Sequence, residues 1–404
     1  MSEIIKIVLN SGKDQSPKRF HPWIFSGAVK RVEGDVKNGD VVEVYSHSNE
    51  CLGTGHYQKG SIMVRLFSFK KIVPDAAFWK TKIQSAYDYR QSIGLTDNES
   101  TNVYRLVYGE GDGLPGLIID FYNGTAVIQA HSIGMYRERH FFVEALKEIY
   151  GERLKSVYDK SKESLGVSGT KIPVDIEIEN ELKNGYLYGN GSEKKVLENG
   201  HKFSIDWEEG QKTGFFIDQR ENRKLVAQYA PGKKVLDCFC YAGGFSVYAM
   251  KAGASEVHSV DSSKAAIKLT DNNINLNFGE VTNHTSHAAD AFDFLGSHAS
   301  EYDMMIIDPP AFAKHRDARH QAVMGYRRLN ALAIKAIKPG GIIFTFSCSQ
   351  VVDRNLFQGA ITAAAIDSGR TVRILKYLSH PADHPISIYH PEGEYLKGMI
   401  LFVE

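Results

Sequence analysis

The 404-residue sequence is poor in cysteine, in long apolar runs and in charge of one sign. Its four cysteines, Cys51, Cys238, Cys240 and Cys348, are too few to frame so long a chain with disulfides. They suit a reducing compartment, and a cytoplasmic protein is expected. The longest stretch without Asp, Glu, Lys or Arg is Phe121–Tyr136, which still carries Asn123, Gln129, His131 and Ser132. A membrane span needs about 20 apolar residues, so no membrane helix is predicted. The opening Met1-Ser2-Glu3 has no basic region leading into an apolar core, so no signal peptide is expected. Lys+Arg and Asp+Glu both number 48, which excludes a uniformly basic coat protein and an acidic tail protein. Several catalytic signatures are also missing: the G-x-x-x-x-G-K-[ST] phosphate loop, G-x-S-x-G and H-E-x-x-H. No metal site is expected.

What is present is ordinary globular composition, 43% hydrophobic, at a length that points to two or three domains. Residues 1–72 read as β, with the short β-branched runs Val41–Tyr45 and Ile62–Leu66 set between glycine-bearing turns. A small barrel is expected there. It holds 11 Lys/Arg against 7 Asp/Glu, a charge of +4. Lys18-Arg19-Phe20-His21-Pro22-Trp23 concentrates cations and aromatics, which fits either a solvated loop over a core Trp or an edge that contacts phosphates and stacks on bases. Residues 73–185 mix helix and strand. Ala76–Ile93 and Met135–Tyr150 have helical character, and Asn123-Gly124 between Leu117–Tyr122 and Thr125–Ala130 is a strong hairpin signal. A central α+β domain is expected, and residues 73–195 carry a charge of −3.

From 196 to 404 apolar strands alternate with amphipathic helices, which predicts an α/β, doubly wound parallel sheet. Its last two strands, Thr371–Leu378 and Gly398–Val403, have no helix between them and should pair antiparallel at one edge. Ligands of such sheets bind beyond the carboxyl ends of the strands. The first strand leaves through Asp237-Cys238-Phe239-Cys240-Tyr241-Ala242-Gly243-Gly244, where Gly243 and Gly244 allow close approach of the backbone to a ligand. The second ends at Asp261, suited to ribose hydroxyls or to capping a helix. Asp290 follows the third and fits either an adenine amino group or a helix cap. A carboxylate on strand 1, two glycines and these two aspartates together fit S-adenosylmethionine (SAM). The fourth strand ends in Asp308-Pro309-Pro310-Ala311-Phe312, whose prolines fix a rigid exit and present the carboxylate. The fifth ends in Ser347-Cys348-Ser349. Cys348 alone reads as a small buried residue; beside Asp308 it reads as a nucleophile. Cys238 and Cys240 lack a second ligand pair and read as packing.

These residues and their neighbours resemble the RlmI family of bacterial 23S rRNA cytosine-C5 methyltransferases over essentially the whole chain. His21-Pro22-Trp23-Ile24-Phe25-Ser26-Gly27 is similar to the opening of the family's PUA domain, an RNA-binding β-barrel. Tyr104–Glu110 and Asp112–Leu117 resemble its central-domain signature, and Gln211–Arg220 its Q-K-T-G-F-F-x-D-Q-R element. D-P-P-A-F and S-C-S match as well. The resemblance implies a class I, Rossmann-like catalytic domain with a seven-stranded, mostly parallel sheet. It implies SAM held by Gln211, Thr213, Phe215, Asp218, Arg220, Asp237, Phe239, Tyr241, Gly243, Gly244, Asp261, Asp290 and Asp308. Cys348 would add to C6 of a flipped cytosine while Asp308 holds or protonates N3. The partner would be 23S rRNA or a precursor of the large subunit, met by Lys18, Arg19, His21, Trp23 and Lys314; a homodimer stays open. A base N-methyltransferase, a non-catalytic assembly factor and an NAD oxidoreductase are the rival readings. Cys348, the cofactor set and the lack of G-x-G-x-x-G at the first strand's exit, where no glycine precedes Gly243, separate them in that order.

Overall fold

A computed structural model describes residues 5–165, 182–313 and 315–404. These divide into two compact units. The first comprises Met1–Val196, Asp206–Phe215 and Ala382–Gly393; the second comprises Leu197–Ile205, Phe216–Pro381 and Glu394–Glu404.

The first unit begins with strands β1 (Ile5–Leu9), β2 (Trp23–Phe25), β3 (Val29–Glu33), β4 (Val41–Tyr45), β5 (Cys51–Tyr57) and β6 (Ile62–Ser68). They form one six-stranded sheet in the order β2-β6-β5-β4-β1-β3. Alternating residues bury Ile7, Leu9, Val42, Val44, Val64 and Leu66 in a common core. A second sheet holds β7 (Val103–Tyr108), β8 (Leu117–Tyr122), β9 (Thr125–Ala130), β10 (Ser156–Asp159) and β11 (Gly185–Tyr188), ordered β11-β10-β9-β8-β7. The β8–β9 hairpin turns on Asn123 and Gly124, both at positive φ (45° and 99°), as a tight hairpin between right-twisted strands requires. The helix expected over Met135–Tyr150 is two helices, Ile133–Arg137 and Arg139–Tyr150, parted at Glu138. Ser132 caps the first of them through the Met135 amide.

Ala382–Gly393 belongs to the first unit although it lies inside the stretch read as catalytic domain. Hydrogen bonds explain the excursion. The Asp383 carboxylate accepts from the Arg105 amide (3.0 Å), its carbonyl accepts from Arg90 (2.7 Å), and Tyr108 donates to the Gly393 carbonyl (2.7 Å).

Strands β12 (Lys195–Glu198) and β13 (His201–Ser204) pair with each other. In the second unit, β14 (Lys234–Cys238), β15 (Glu256–Asp261), β16 (His284–Ala288), β17 (Met304–Ile307), β18 (Gly341–Ser347), β19 (Val372–Leu378) and β20 (Lys397–Val403) form a seven-stranded sheet. Its order is β16-β15-β14-β17-β18-β20-β19. The first five strands run parallel; β18–β20 and β19–β20 are antiparallel. The fully buried run of β18, GIIFTFS, is what a strand covered on both faces should show. The helix read as Tyr326–Ile337 starts two turns earlier, at Arg319.

Candidate active site

The order reverses at β14, so the loops leaving β14 and β17 border the switch point where such sheets bind ligands. The β14 exit is held in an unusual shape. Phe239, Tyr241 and Gly243 all have positive φ (64°, 49° and 69°). These conformations curl the loop back on itself, and most of its amides are spent within the protein: Phe239 and Cys240 donate to the Val260 carbonyl and Gly243 to the Cys240 carbonyl. Neighbours fix the curl. The Tyr241 amide donates to Asp261 (3.1 Å), Thr270 donates to the Tyr241 carbonyl (3.1 Å), and Asn273 donates to the Ala242 carbonyl (2.9 Å). A Cβ on Gly243 would lie 2.7 Å from Thr270, so a side chain there would collide as well as strain the backbone.

Asp237 sits fully buried at the root of this loop. One carboxylate oxygen, Oδ2, accepts from the Ser246 amide (3.1 Å) and hydroxyl (2.7 Å); Oδ1 has no hydrogen-bond partner among the described residues. Burial, with help from the nearby Asp308 charge, pushes its carboxyl up to about 7 despite the Ser246 bonds. The same burial drives the Cys238 and Cys240 thiols well above their ordinary range, and Cys240 meets Thr270 at 3.4 Å, so both pack as expected. Asp261, half-buried at the end of β15, accepts from the Tyr241 and Ser263 amides. The cap of the following helix is Ser263, not Asp261. Asp290 is exposed and caps helix Ala291–His298, with both capping bonds on Oδ1.

Asp308 leaves β17 half-buried and accepts from Gln219 (2.9 Å), which in turn accepts from Asn222 (2.6 Å). Gln219 was not among the residues expected to act, though it lies inside the Q-K-T-G-F-F element. The Cys348 thiol, leaving the adjacent strand β18, points at the Pro309 carbonyl (3.8 Å). S-C-S and D-P-P therefore meet side by side. A buried carboxylate with one oxygen unbonded among the described residues and a ribose-suited carboxylate fit SAM, a ligand with cationic and ribose groups.

The Q-K-T-G-F-F-I-D-Q-R element is shared between the units. Gln211, exposed, and Thr213 and Phe215, buried, lie in the first. The Thr213 hydroxyl meets Asp120 and Tyr122 there. Asp218 and Arg220 are buried in the second, where Tyr395 donates to Asp218.

In the first unit, exposed Lys18 is paired with Asp14 and Glu50, both at 2.8 Å. Arg19 is exposed. Trp23 is half-buried and donates its indole N–H to Glu110 (2.8 Å). His21 accepts from the Trp23 amide at Nδ1, which leaves its proton on Nε2, facing Glu392. His21, His390 and Glu392 are the group among the described residues that could hold a metal, but that tautomer does not suit ligation through Nε2. Phe20 (50% exposed) and Tyr389 (52%) are open to solvent with their rings 5.3 Å apart, and Phe25 is exposed as well. Tyr389 was beyond sequence reasoning because 369 positions of chain separate it from Phe20. Lys314 lies outside the described residues. No helix among the described residues is long and apolar enough to cross a membrane.

Residues 180–385 match a family described as S-adenosylmethionine-dependent methyltransferase, and residues 7–69 match a PUA-like domain. Ribosomal RNA large subunit methyltransferase I of Aeromonas hydrophila is 38% identical over 405 residues, covering 98% of each chain. The Escherichia coli protein of that name is 36% identical over 403 residues, again covering 98% of each. A solved Streptococcus mutans structure assigned to the SAM-dependent methyltransferases covers 99% of this chain with a TM-score of 0.82 at 24% identity, which bears on fold. A second solved structure, holding S-adenosylhomocysteine, has a TM-score of 0.84. SAM is the cofactor of this chain, which belongs to the ribosomal RNA large subunit methyltransferase I family.

Proposed function

We propose that the chain methylates C5 of a cytosine in large-subunit (23S) ribosomal RNA, as free RNA or in a precursor particle, in the cytoplasm. The observation that carries this is the approach of Cys348 to the D-P-P loop at the ends of adjacent strands. Cytosine C5 is a weak nucleophile, and covalent addition at C6 is the standard remedy for that weakness. The base leaves its stack to enter the crevice. The Cys348 thiolate forms an S–C6 bond, and the displaced electron pair runs toward N3. Asp308, oriented by Gln219, holds or protonates N3 and so takes up that charge. SAM, when bound, supplies the electrophilic methyl group. Loss of the C5 proton then restores the ring, and the S–C6 bond breaks to free the thiol.

For the cofactor, Asp237 suits its positive charge and Asp261 its ribose, with Phe239, Tyr241, Gly243 and Gly244 assigned to its binding on the loop that follows Asp237. Asp290, with Oδ2 outside its capping bonds, suits the adenine amino group. Gln211, Thr213, Phe215, Asp218 and Arg220 are assigned to the same binding by family resemblance. RNA meets the first unit at Lys18, Arg19 and His21. Trp23, committed to Glu110, gives way as a stacking platform to Phe20 and Tyr389. The reaction as drawn needs no metal and no second copy of the chain.

Mass-spectrometric mapping of 23S rRNA from a strain lacking the gene tests the proposal. One 5-methylcytidine should disappear and return on incubation of that RNA with the purified protein and SAM. An unchanged map, or a methyl group recovered on a base nitrogen, would overturn it.

A further inference from the structure

Strand β20 is apolar throughout except at its first residue, Lys397, which is 2% exposed. Burying an ammonium costs several kcal/mol unless its charge and its protons are met. Lys397 donates to the carbonyls of Ser349 (2.6 Å) and Val352 (2.5 Å), both neutral acceptors. An ammonium has three protons, and these two bonds occupy two of them. Among the described residues no carboxylate bonds to it. The two carbonyls bracket the loop that starts at Cys348, and Lys397 is the register partner of Ser347, the residue just before that cysteine. A cation is thus fixed inside the curve of the nucleophile's own loop.

We infer that Lys397 is a positioning residue that sets the Cys348 loop and holds its thiol as thiolate, the anion being the counter-charge the buried ammonium lacks. This rests on Cys348 being the nucleophile. A thiol beside a fixed cation loses its proton more readily, and the thiolate is the species that adds to C6. The remaining charged groups facing Lys397 are Asp353 and Arg354 at the start of helix Arg354–Ser368, and Glu394 ahead of β20; Asp308 and Tyr326 border the Cys348 side. Burial lowers the Lys397 ammonium to about 8, with Cys348, Glu394 and Asp353 opposing the shift. The cation is therefore in place at neutral pH and fades as pH rises past 8.

The test is iodoacetamide alkylation of the full-length protein across pH 5–10, read by mass spectrometry on the Cys348 peptide. In the unsubstituted protein the Cys348 thiol should titrate clearly below the ordinary cysteine value of about 8.5. Lys397→Met should slow its alkylation at pH 7 by about tenfold or more, the effect of losing an adjacent opposite charge, and Lys397→Arg should restore most of the rate. An alkylation curve for Lys397→Met that overlays the unsubstituted one, with thermal melting and SAM affinity intact, would show the ammonium to be a loop anchor only. Should Lys397→Met fail to fold, the unsubstituted curve decides: a Cys348 thiol titrating at 8.5 or above overturns the inference. Failure of the nucleophile reading shows separately, as methyl transfer retained by Cys348→Ala, which leaves the alkylation result untouched.

Discussion

Buried carboxylates are handled in two ways, and the clearest comparison is between two aspartates of the first unit and three of the second. The two in the first unit each face a cation, as Glu198 of the second unit also does with Arg223. Asp120 takes two parallel bonds from Arg105, both 2.8 Å, and Asp112 takes a two-pronged contact from Arg90. In the second, Asp237, Asp261 and Asp308 gather at the ends of β14, β15 and β17. The hydrogen bonds described there come from neutral donors: Ser246, two backbone amides and Gln219. Fork-to-fork ion pairs complete a structure and leave nothing for a ligand to add. Asp237 and Asp261, held by neutral groups, have the arrangement a cationic cofactor would complete. The contrast separates aspartates closed off by an ion pair from the aspartates proposed to serve the reaction, though all look alike in sequence.

The largest expected effect lies in the second unit and tests the chemistry. Cys348→Ala should abolish methyl transfer, by more than about 10³-fold, since no other group supplies the covalent step. SAM affinity should stay within about twofold, because the thiol is not drawn as touching the cofactor. Retained transfer would favour methylation of a base nitrogen.

Next comes a test of the first unit. Asp112→Asn breaks its two-pronged contact with Arg90 and leaves a buried guanidinium without that charge. It should cost about 3–5 kcal/mol of stability, read by denaturant melting. Cofactor affinity measured on the folded fraction should be unchanged. A stable variant that had lost SAM binding would erase the proposed contrast between structural and functional aspartates.

The pH behaviour of Asp237 sharpens the same contrast. Its folded carboxyl is raised to about 7 from 3.8. Between these values the native protein holds a proton that the unfolded chain has released. Stability from this group is therefore full at the acid end and is lost as pH rises toward and through 7. A cation bound beside it removes that penalty. Affinity for S-adenosylhomocysteine, which keeps the ammonium, should then rise from pH 6 to pH 8 by up to about tenfold. Asp237→Asn should flatten the profile; calorimetric titration at the two pH values reads both. A flat profile in the unsubstituted protein would mean that Asp237 meets no cation.

Much of this was legible in the sequence, for identifiable reasons. Parallel strands covered on both faces are continuous apolar runs, so β14, β17 and β18 announced themselves, and their exits carried D-P-P and S-C-S. Asn123-Gly124 fixed its hairpin by turn chemistry alone. What stayed hidden depends on contacts far apart in sequence. Nothing local tells that Asp383 and Gly393 return to bind Arg105 and Tyr108, or that Tyr389 meets Phe20. The Trp23 indole looked like a stacking platform because its partner, Glu110, lies 87 residues away. Lys397 gave no signal at all, being one lysine beside an apolar strand until the carbonyls around it are seen.

The smallest expected effects lie on the surface of the first unit, where the contrast turns round: function there would sit in exposed rings and cations, not in buried carboxylates. Phe20 and Tyr389 offer two solvent-facing rings 5.3 Å apart, with Arg19 next in sequence to Phe20. Removing a ring removes a stacking partner, so Phe20→Ala and Tyr389→Ala should each weaken RNA binding about fivefold, toward the weaker end of base–aromatic stacking. A ring carries no charge, so the slope of log affinity against log salt should not change. Arg19→Ala should do the reverse, with a loss of similar size that shrinks as salt rises and a slope reduced by about one. Lys18, already paired with Asp14 and Glu50, should matter less than Arg19. Filter binding of a 23S rRNA fragment at two salt concentrations reads these three variants and Lys18→Ala. If the ring variants changed the slope, or Arg19→Ala left it alone, the surface would not be the mixed stacking and phosphate face drawn here, and RNA would have to enter by another route.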